Sequence, residues 1–291
     1  MGKTIYMKSI DPKSIPTKEL HQYLLSAVSP RPIGFISTTS KNGVPNLAPF
    51  SFFNVFSANP PIMIFSPARR VRDNTIKDTL VNCQDTKEAV INIVDFDMVQ
   101  QMSLASSDFD SEVDEFVKAG FTPLDSDEIK PLRVAESPVQ FECKITEIQA
   151  LGKEGGAGNL IIAEVVKLHV RESVLNEKGL IDPLKLDVVA RMGGPLYSRA
   201  LEGTFQIPKP LTHVGVGFDQ LPEEVLTSSI LSKNDLAVLA GIDKKPTTDI
   251  VDKFIGDNPE FKSSDSDKKH KFVLELIARN EANNAWCVLL Q

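Results

Sequence analysis

The chain reads as a mainly β domain with flanking helices, followed by a helical C-terminal appendage. Three observations predict this. Between Pro32 and Phe65, short apolar runs alternate with Asn-Gly, Asn-Pro-Pro and Ser-rich punctuation, the pattern of consecutive antiparallel strands. Two further strand-like runs, Val139 to Leu151 and Asn159 to Glu172, flank the glycine-rich segment Gly152 to Gly158, which permits an open turn. From about Pro208 the periodicity turns helical, with breaks at Gly, Pro and Ser. The expected domains are therefore 1–207 and 208–291.

Taken in order, a strand-like stretch near Thr4 to Ile10 precedes helical spacing over Thr17 to Leu25, with Thr17 as cap and Pro30 as stop. Pro32 to Thr39 and a run beginning near Val44 form a hairpin, because the turn Ser40-Lys41-Asn42-Gly43 carries the Asn-Gly pair that favours positive φ. Pro61 to Ser66 continues the sheet. Asp73 to Gln84 predicts a helix, Ala89 to Val94 a strand, and Met98 to Ser106 and Val113 to Ala119 two helices packing on the barrel. In the appendage, Pro222 to Leu231, Asn234 to Ala240, Thr247 to Ile255 and Asp267 to Ala278 are short helical patterns. Ser232 and Asp235 have capping-box spacing, and Phe272, Leu276 and Ile277 can dock one helix face.

A chain of 291 residues with 42% hydrophobic content can bury a full core. Its formal net charge of -7 argues against nucleic-acid or anionic-membrane partners, which select basic surfaces. Cys83, Cys143 and Cys287 are widely spaced, and His21, His169, His213 and His270 are scattered, so neither a disulfide framework nor a metal site is expected. There is no signal-peptide pattern and no apolar run long enough to span a bilayer, which makes a cytoplasmic location the default expectation.

The chemistry-bearing residues concentrate in the first hairpin. Ser37, Thr38 and Thr39 end the first strand, and Asn46, Leu47 and Ala48 lie opposite, ahead of Pro49, Ser51 and the aromatic pair Phe52-Phe53. Hydroxyls, amides and backbone groups beside aromatic rings suit a flat, polar-edged heterocycle with a phosphate tail. Ser and Thr also favour strand ends and turns, and Lys77 and Thr79 equally suit a solvated helix face. His, Cys and paired carboxylates, which acid-base or nucleophilic mechanisms need, are sparse in these segments.

Four motifs in order carry a family resemblance: Ser29-Pro30-Arg31-Pro32-Ile33-Gly34, then Asn46 to Asn54, then Lys77-Asp78-Thr79, then Ala190 to Arg199 with its Arg191, glycine pair and Tyr197. Together they resemble the flavin reductase-like family of FMN-binding, Greek-key split β-barrels that includes flavoredoxin. The resemblance spans the first two thirds of the chain and does not reach the appendage. It implies FMN as cofactor and NADH or NADPH as electron donor, with the flavin near the interface of a homodimer. On this reading Ser51, Ser66, Lys77 and Thr79 are phosphate candidates. Ser37, Thr38, Thr39, Asn46, Leu47, Ala48 and Phe52 border the ring, and Arg191 and Tyr197 approach from the glycine turn or a neighbouring subunit. Arg31, between prolines, braces the strand entrance. The basic loop of Arg69, Arg70 and Arg72 suits a phosphate, an anionic nicotinamide nucleotide or plain solvent. No proton-transferring residue is expected, because the flavin itself carries the redox chemistry. The implied activity is NAD(P)H-dependent flavin reduction; a flavoredoxin-like electron carrier or flavin store is the alternative.

Overall fold

Alternating side chains along the first hairpin send Phe35 and Ile36 into two separate apolar clusters, and the rest of the barrel is built on those two faces. The computed structural model describes residues 6–207 and 214–291, which fall into two compact units, Met1–Thr204 and Phe205–Gln291.

The first unit opens with α1 (Thr17–Ala27) and the short strand β1 (Arg31–Pro32), followed by the hairpins β2 (Gly34–Thr39) to β3 (Pro45–Phe50) and β4 (Phe53–Ala58) to β5 (Pro61–Phe65). Helix α2 (Asp78–Thr86) leads to β6 (Glu88–Ile93), then α3 (Val99–Ala105), α4 (Glu115–Ala119) and the two-residue strands β7 (Pro123–Leu124) and β8 (Arg133–Val134). The long hairpin β9 (Val139–Ala150) and β10 (Asn159–Val170) is followed by α5 (Pro183–Leu186), β11 (Val189–Arg191), β12 (Tyr197–Arg199) and α6 (Ala200–Gly203). The principal sheet has seven strands in the order β3-β2-β6-β9-β10-β5-β4, with every pairing antiparallel, and β1, β11 and β12 form a second small sheet.

One face of the large sheet buries Ile36, Phe65, Ile91, Cys143 and Ile161 with Leu80 and Cys83 of α2. The other buries Phe35, Leu47 and Val94 with Met98, Met102 and Phe116 from the α3–α4 region. Gly34 has a packing reason: a Cβ there would lie 3.0 Å from the Phe53 ring. Burial pushes the Cys83 thiol up to about 12 and raises the thiols of Cys143 and Cys287 as well, so the buried cysteines are inert apolar fillers.

The second unit contains α7 (Glu223–Leu226), α8 (Lys233–Ala240), α9 (Thr248–Asp257), α10 (Ser266–Ala278) and α11 (Ala282–Leu290). Its core centres on the fully buried Trp286, whose indole N–H donates to the Leu239 carbonyl at 2.8 Å. The Ser232–Asp235 capping box opens α8, and Leu276 is buried while Phe272 and Ile277 pack at the margin.

Several boundaries differ from the sequence reading, each for a local reason. Helix α2 starts at Asp78 because Asp73 Oδ1 accepts from both the N–H and the hydroxyl of Thr75, and Asn74 adopts φ 60°, which holds 73–76 as a turn. Pro16, not Thr17, occupies the N-cap of α1. The 222–231 pattern is helical only over α7, because Ser228 Oγ takes the N–H groups of Ile230 and Leu231 and turns the chain. Helix α11 was not expected; its Trp-Cys-Val-Leu-Leu run has apolar residues on several faces, which hides the period. Of the stretch near Thr4 to Ile10, residues 4 and 5 lie outside the described residues, as does His213, and 6–10 form no strand.

Candidate functional site

The buried carboxylate of Glu115 links α4 to edge strand β3. One oxygen accepts the Leu47 N–H and the other the Asn46 side-chain amide, both at 3.0 Å. An edge strand exposes N–H groups that need partners, and here α4 supplies one. Asn46 Oδ1 in turn accepts from Thr79 Oγ1 at 2.8 Å and from Thr38 Oγ1 at 3.3 Å, and Asn82 donates to Thr38 Oγ1 at 3.0 Å. The network locks β2, β3, α2 and α4 together. Burial pushes the Glu115 carboxyl up, against the opposing hydrogen bonds from Leu47 and Asn46.

Beside this network lies a narrow cleft of about 40 Å³, to which β3 contributes Asn46 and Ala48, the start of α2 contributes Lys77 and Thr79, and the chain around them contributes Arg70 and Asp108. Lys77 is the N-cap of α2 and offers no side-chain acceptor to the first turn, so the helix presents its early N–H groups and positive dipole end here. The Lys77 ammonium sits 5.8 Å from the centre of the Phe50 ring, and burial, with Arg70 nearby, holds its pKa below the usual lysine value. Arg70 is aimed by bonds to Thr75 Oγ1 at 3.0 Å and the Ile76 carbonyl at 2.9 Å. Ser106 and Ser107 line the opposite wall. This donor set of two cations, hydroxyls and a helix N-terminus fits the phosphate end of a flavin nucleotide. The cleft is about an order of magnitude smaller than pockets that enclose whole ligands, so a tricyclic ring would have to lie outside it.

Four sequence candidates, Asn46, Ala48, Lys77 and Thr79, thus meet at one cleft, and Thr38 joins them through the network behind it. The others lie elsewhere in the unit. Ser37 is fully buried and its hydroxyl has no hydrogen-bond partner; it pairs across the sheet with Leu47 and Val90, and Leu47 belongs to the core. Thr39 pairs with Pro45 at the hairpin end. Ser51 Oγ accepts from Arg31 Nε at 3.2 Å, and the same guanidinium reaches the carbonyls of Leu25, Val28 and Met192. Arg31 is therefore the brace that its position between prolines suggests. Phe52 lies edge-on to His21, and Ser66 sits against Gly158. Arg191 covers the Tyr197 ring at 4.6 Å on the β11–β12 hairpin, and Tyr197 lines a larger cavity of about 290 Å³ with Phe96 and Arg199. That cavity has no counterpart in the sequence reading, because it is assembled from segments about a hundred residues apart.

His169 also gains a partner that spacing did not reveal. Its Nε2 lies 2.7 Å from Glu142 Oε1, and Asp127 completes a trio within metal-ligating reach. Glu142 is already engaged by the N–H groups of Asp127 at 2.9 Å and Glu128 at 2.7 Å, and Lys167 lies 3.4 Å from the Asp127 carboxylate. The trio reads as a clamp between the 127–128 segment and the β9–β10 hairpin.

An antiparallel split barrel with a charged, polar cleft at a strand–helix junction is the class that the fold and the site define, and comparison with known proteins identifies the family. A flavin reductase like domain matches residues 26–188, and the chain belongs to this family. An uncharacterized protein of Aquifex aeolicus is 39% identical over 181 residues, covering 62% of this chain and 90% of that one. Nitrilotriacetate monooxygenase component B from Bacillus cereus superposes with TM-score 0.66 at 31% identity, covering 70% of this chain and all (100%) of that chain. The 2-nitrobenzoate 2-nitroreductase of Pseudomonas fluorescens superposes with TM-score 0.63 at 26% identity over 72% of this chain and 100% of that one. The first unit is accordingly a flavin reductase-type split barrel. Among the described residues, no helix is long and apolar enough to cross a membrane.

Proposed function

We propose that the barrel unit is an FMN-dependent oxidoreductase that takes a hydride from NADH or NADPH and passes the electrons to free flavin, dioxygen or another acceptor. The observation that carries this is the cleft in which Lys77, Arg70 and the start of α2 converge beside Asn46, within a chain of the flavin reductase-like family. Membership in a monooxygenase, as component B, on the part of the Bacillus cereus relative supports an acceptor outside the chain.

When bound, the flavin would supply the hydride-accepting centre, so the protein's task is to bind and to orient. Lys77 and Arg70 neutralise the phosphate, and the α2 N-terminus adds N–H donors. Glu115 and Asn46 fix β3 against α2, which sets the distance between the phosphate cleft and the strand edge. No side chain is assigned a proton transfer.

A homodimer accompanies this reading. Edge strand β4 has a bulge between Val55 and Ser57, which breaks the alternation and leaves both Val55 and Phe56 exposed, and Leu24 of α1 and Val28 at its C-cap are exposed as well. A second copy covering these side chains would remove apolar surface from water.

The test is the visible absorbance of the purified chain with added FMN, before and after anaerobic addition of NADH or NADPH. Bound flavin that bleaches supports the reductase; bound flavin that stays oxidised favours an electron carrier; absence of binding overturns the proposal.

A further inference from the structure

The cleft faces a carboxylate that a phosphate ligand does not call for. Asp108, in the loop after α3, holds Arg70 Nη2 at 2.6 Å through Oδ1 and bonds Arg72 Nη2 through Oδ2. The same loop is latched a second time by Ser111 Oγ, which donates to Asp78 Oδ1 at 2.9 Å on the first turn of α2. The backbone bonds of the loop are local: Ser107 N–H goes to the Leu104 carbonyl in the last turn of α3, Phe109 to Ser107 and Val113 to Asp110. Side-chain contacts to the α2 region thus lay this loop over the cleft, whose wall includes Ser106 to Phe109.

We propose that Asp108 is an intramolecular competitor for the phosphate of the flavin nucleotide, occupying Arg70 and Arg72 until a phosphate displaces it and the loop moves aside. This rests on the phosphate-cleft reading above. Charge supports it. Around the cleft stand the cations Arg70, Arg72 and Lys77 and the carboxylates Asp73, Asp78, Asp108 and Glu115. Asp73 is committed to Arg72 and Thr75, Asp78 to Ser111, and Glu115 to the buried network. Of these only Asp108 bonds both arginines, and a phosphate entering with Asp108 in place would meet a surplus of negative charge. The Arg72 arm is the easier to break, because the Asp108 side chain is 44% exposed and Arg72 is 67% exposed, and exposed ion pairs hold weakly; the arm to Arg70, which is 22% exposed, is the one a phosphate must outcompete. A phosphate offers three oxygens to the same guanidinium groups where Asp108 offers two, and with more charge. The roughly 40 Å³ of the cleft follows from the same arrangement: the loop fills the space that the ligand would take.

The consequence is selectivity. A flavin without phosphate gains nothing by displacing Asp108, whereas FMN does, at the cost of the existing pair. The test measures FMN and riboflavin binding by flavin fluorescence quenching for the full chain, Asp108→Asn and Asp108→Glu, at one ionic strength. Asp108→Asn should bind FMN about 5- to 10-fold more tightly and riboflavin within about twofold of the parent, while Asp108→Glu, which keeps the charge, should stay within about twofold for both. Unchanged or weakened FMN binding in Asp108→Asn, or equal tightening of both flavins, would overturn the competition while leaving the flavin site standing. No FMN binding by any form would instead overturn the phosphate-cleft reading and this inference with it.

Discussion

Thr79 Oγ1 donates to Asn46 Oδ1 at 2.8 Å, joining the first turn of α2 to the start of edge strand β3 across 33 residues of sequence. The hydroxyl proton of Thr79 is therefore committed to holding the cleft's wall, while Lys77, two residues earlier, brings a positive charge to it.

Separating those two roles gives the first prediction. Thr79→Val leaves the buried Asn46 oxygen with only the longer Thr38 bond, and should lower stability by about 1–2 kcal/mol in urea unfolding. Its ratio of FMN to riboflavin affinity should stay near that of the parent.

Lys77→Met should do the reverse. Loss of a charge-assisted bond to phosphate costs about 1.5–3 kcal/mol, or roughly one to two orders of magnitude in FMN affinity, and leaves riboflavin nearly unaffected. Equal losses for both ligands would remove Lys77 from the phosphate site.

Acid stability should depend on Glu142. Burial alone would push its carboxyl up, but the N–H donors of Asp127 and Glu128 and the His169 ring outweigh burial and hold it below the usual glutamate range. The unfolded chain then binds more protons than the folded one below pH ~4.3, so this contribution is complete above that value and is lost as pH falls through the folded-state pKa. Glu142→Gln should cost about 3 kcal/mol at pH 7 by setting an amide against backbone N–H donors, and should flatten the fall in urea midpoint below pH ~4.3.

Gly34 should tolerate no side chain. Gly34→Ala brings a Cβ to 3.0 Å from two atoms of the Phe53 ring, and overpacking of this kind costs about 1–3 kcal/mol. Thermal melts of Gly34→Ala and of Gly34→Ala with Phe53→Leu should show the second change recovering part of the loss.

The proposed dimer has its own readout. Phe56→Lys places a charge on the exposed bulge of β4, where the side chain is 64% exposed. Sedimentation should move from the mass of two chains to that of one, while far-UV circular dichroism stays unchanged.

Local rules made most of the fold legible. The Asn42-Gly43 turn, with Gly43 at φ 85°, sets the β2–β3 hairpin, and the glycine segment ahead of Asn159 opens the β9–β10 turn. Ser232 and Asp235 cap α8 as their spacing implies. Boundaries slipped where a side chain captured the backbone, as Asp73 does with Thr75 and Ser228 with Ile230.

The cleft was half legible. Lys77 and Thr79 stand two residues apart in one motif and Asn46 in the first hairpin, so the sequence could collect them. Arg70 was reached only as part of a basic loop whose ligand stayed open, and Glu115 and Asp108 carry no mark at all; what brings them in is an edge strand that needs an acceptor and a loop that needs an anchor, and both needs arise only once the sheet exists.

The sequence alone determined the antiparallel barrel, the helical appendage and the residue types gathered at the first hairpin, because turns, periods and caps act over a few neighbouring residues. Only the tertiary structure decided that Ser37 faces the core, that Arg31 claims Ser51, and that Asp108 sits on the arginines of the cleft. Those outcomes depend on which strand face is buried and on which distant groups compete for the same hydrogen bonds, and neither is encoded within any one stretch of the chain.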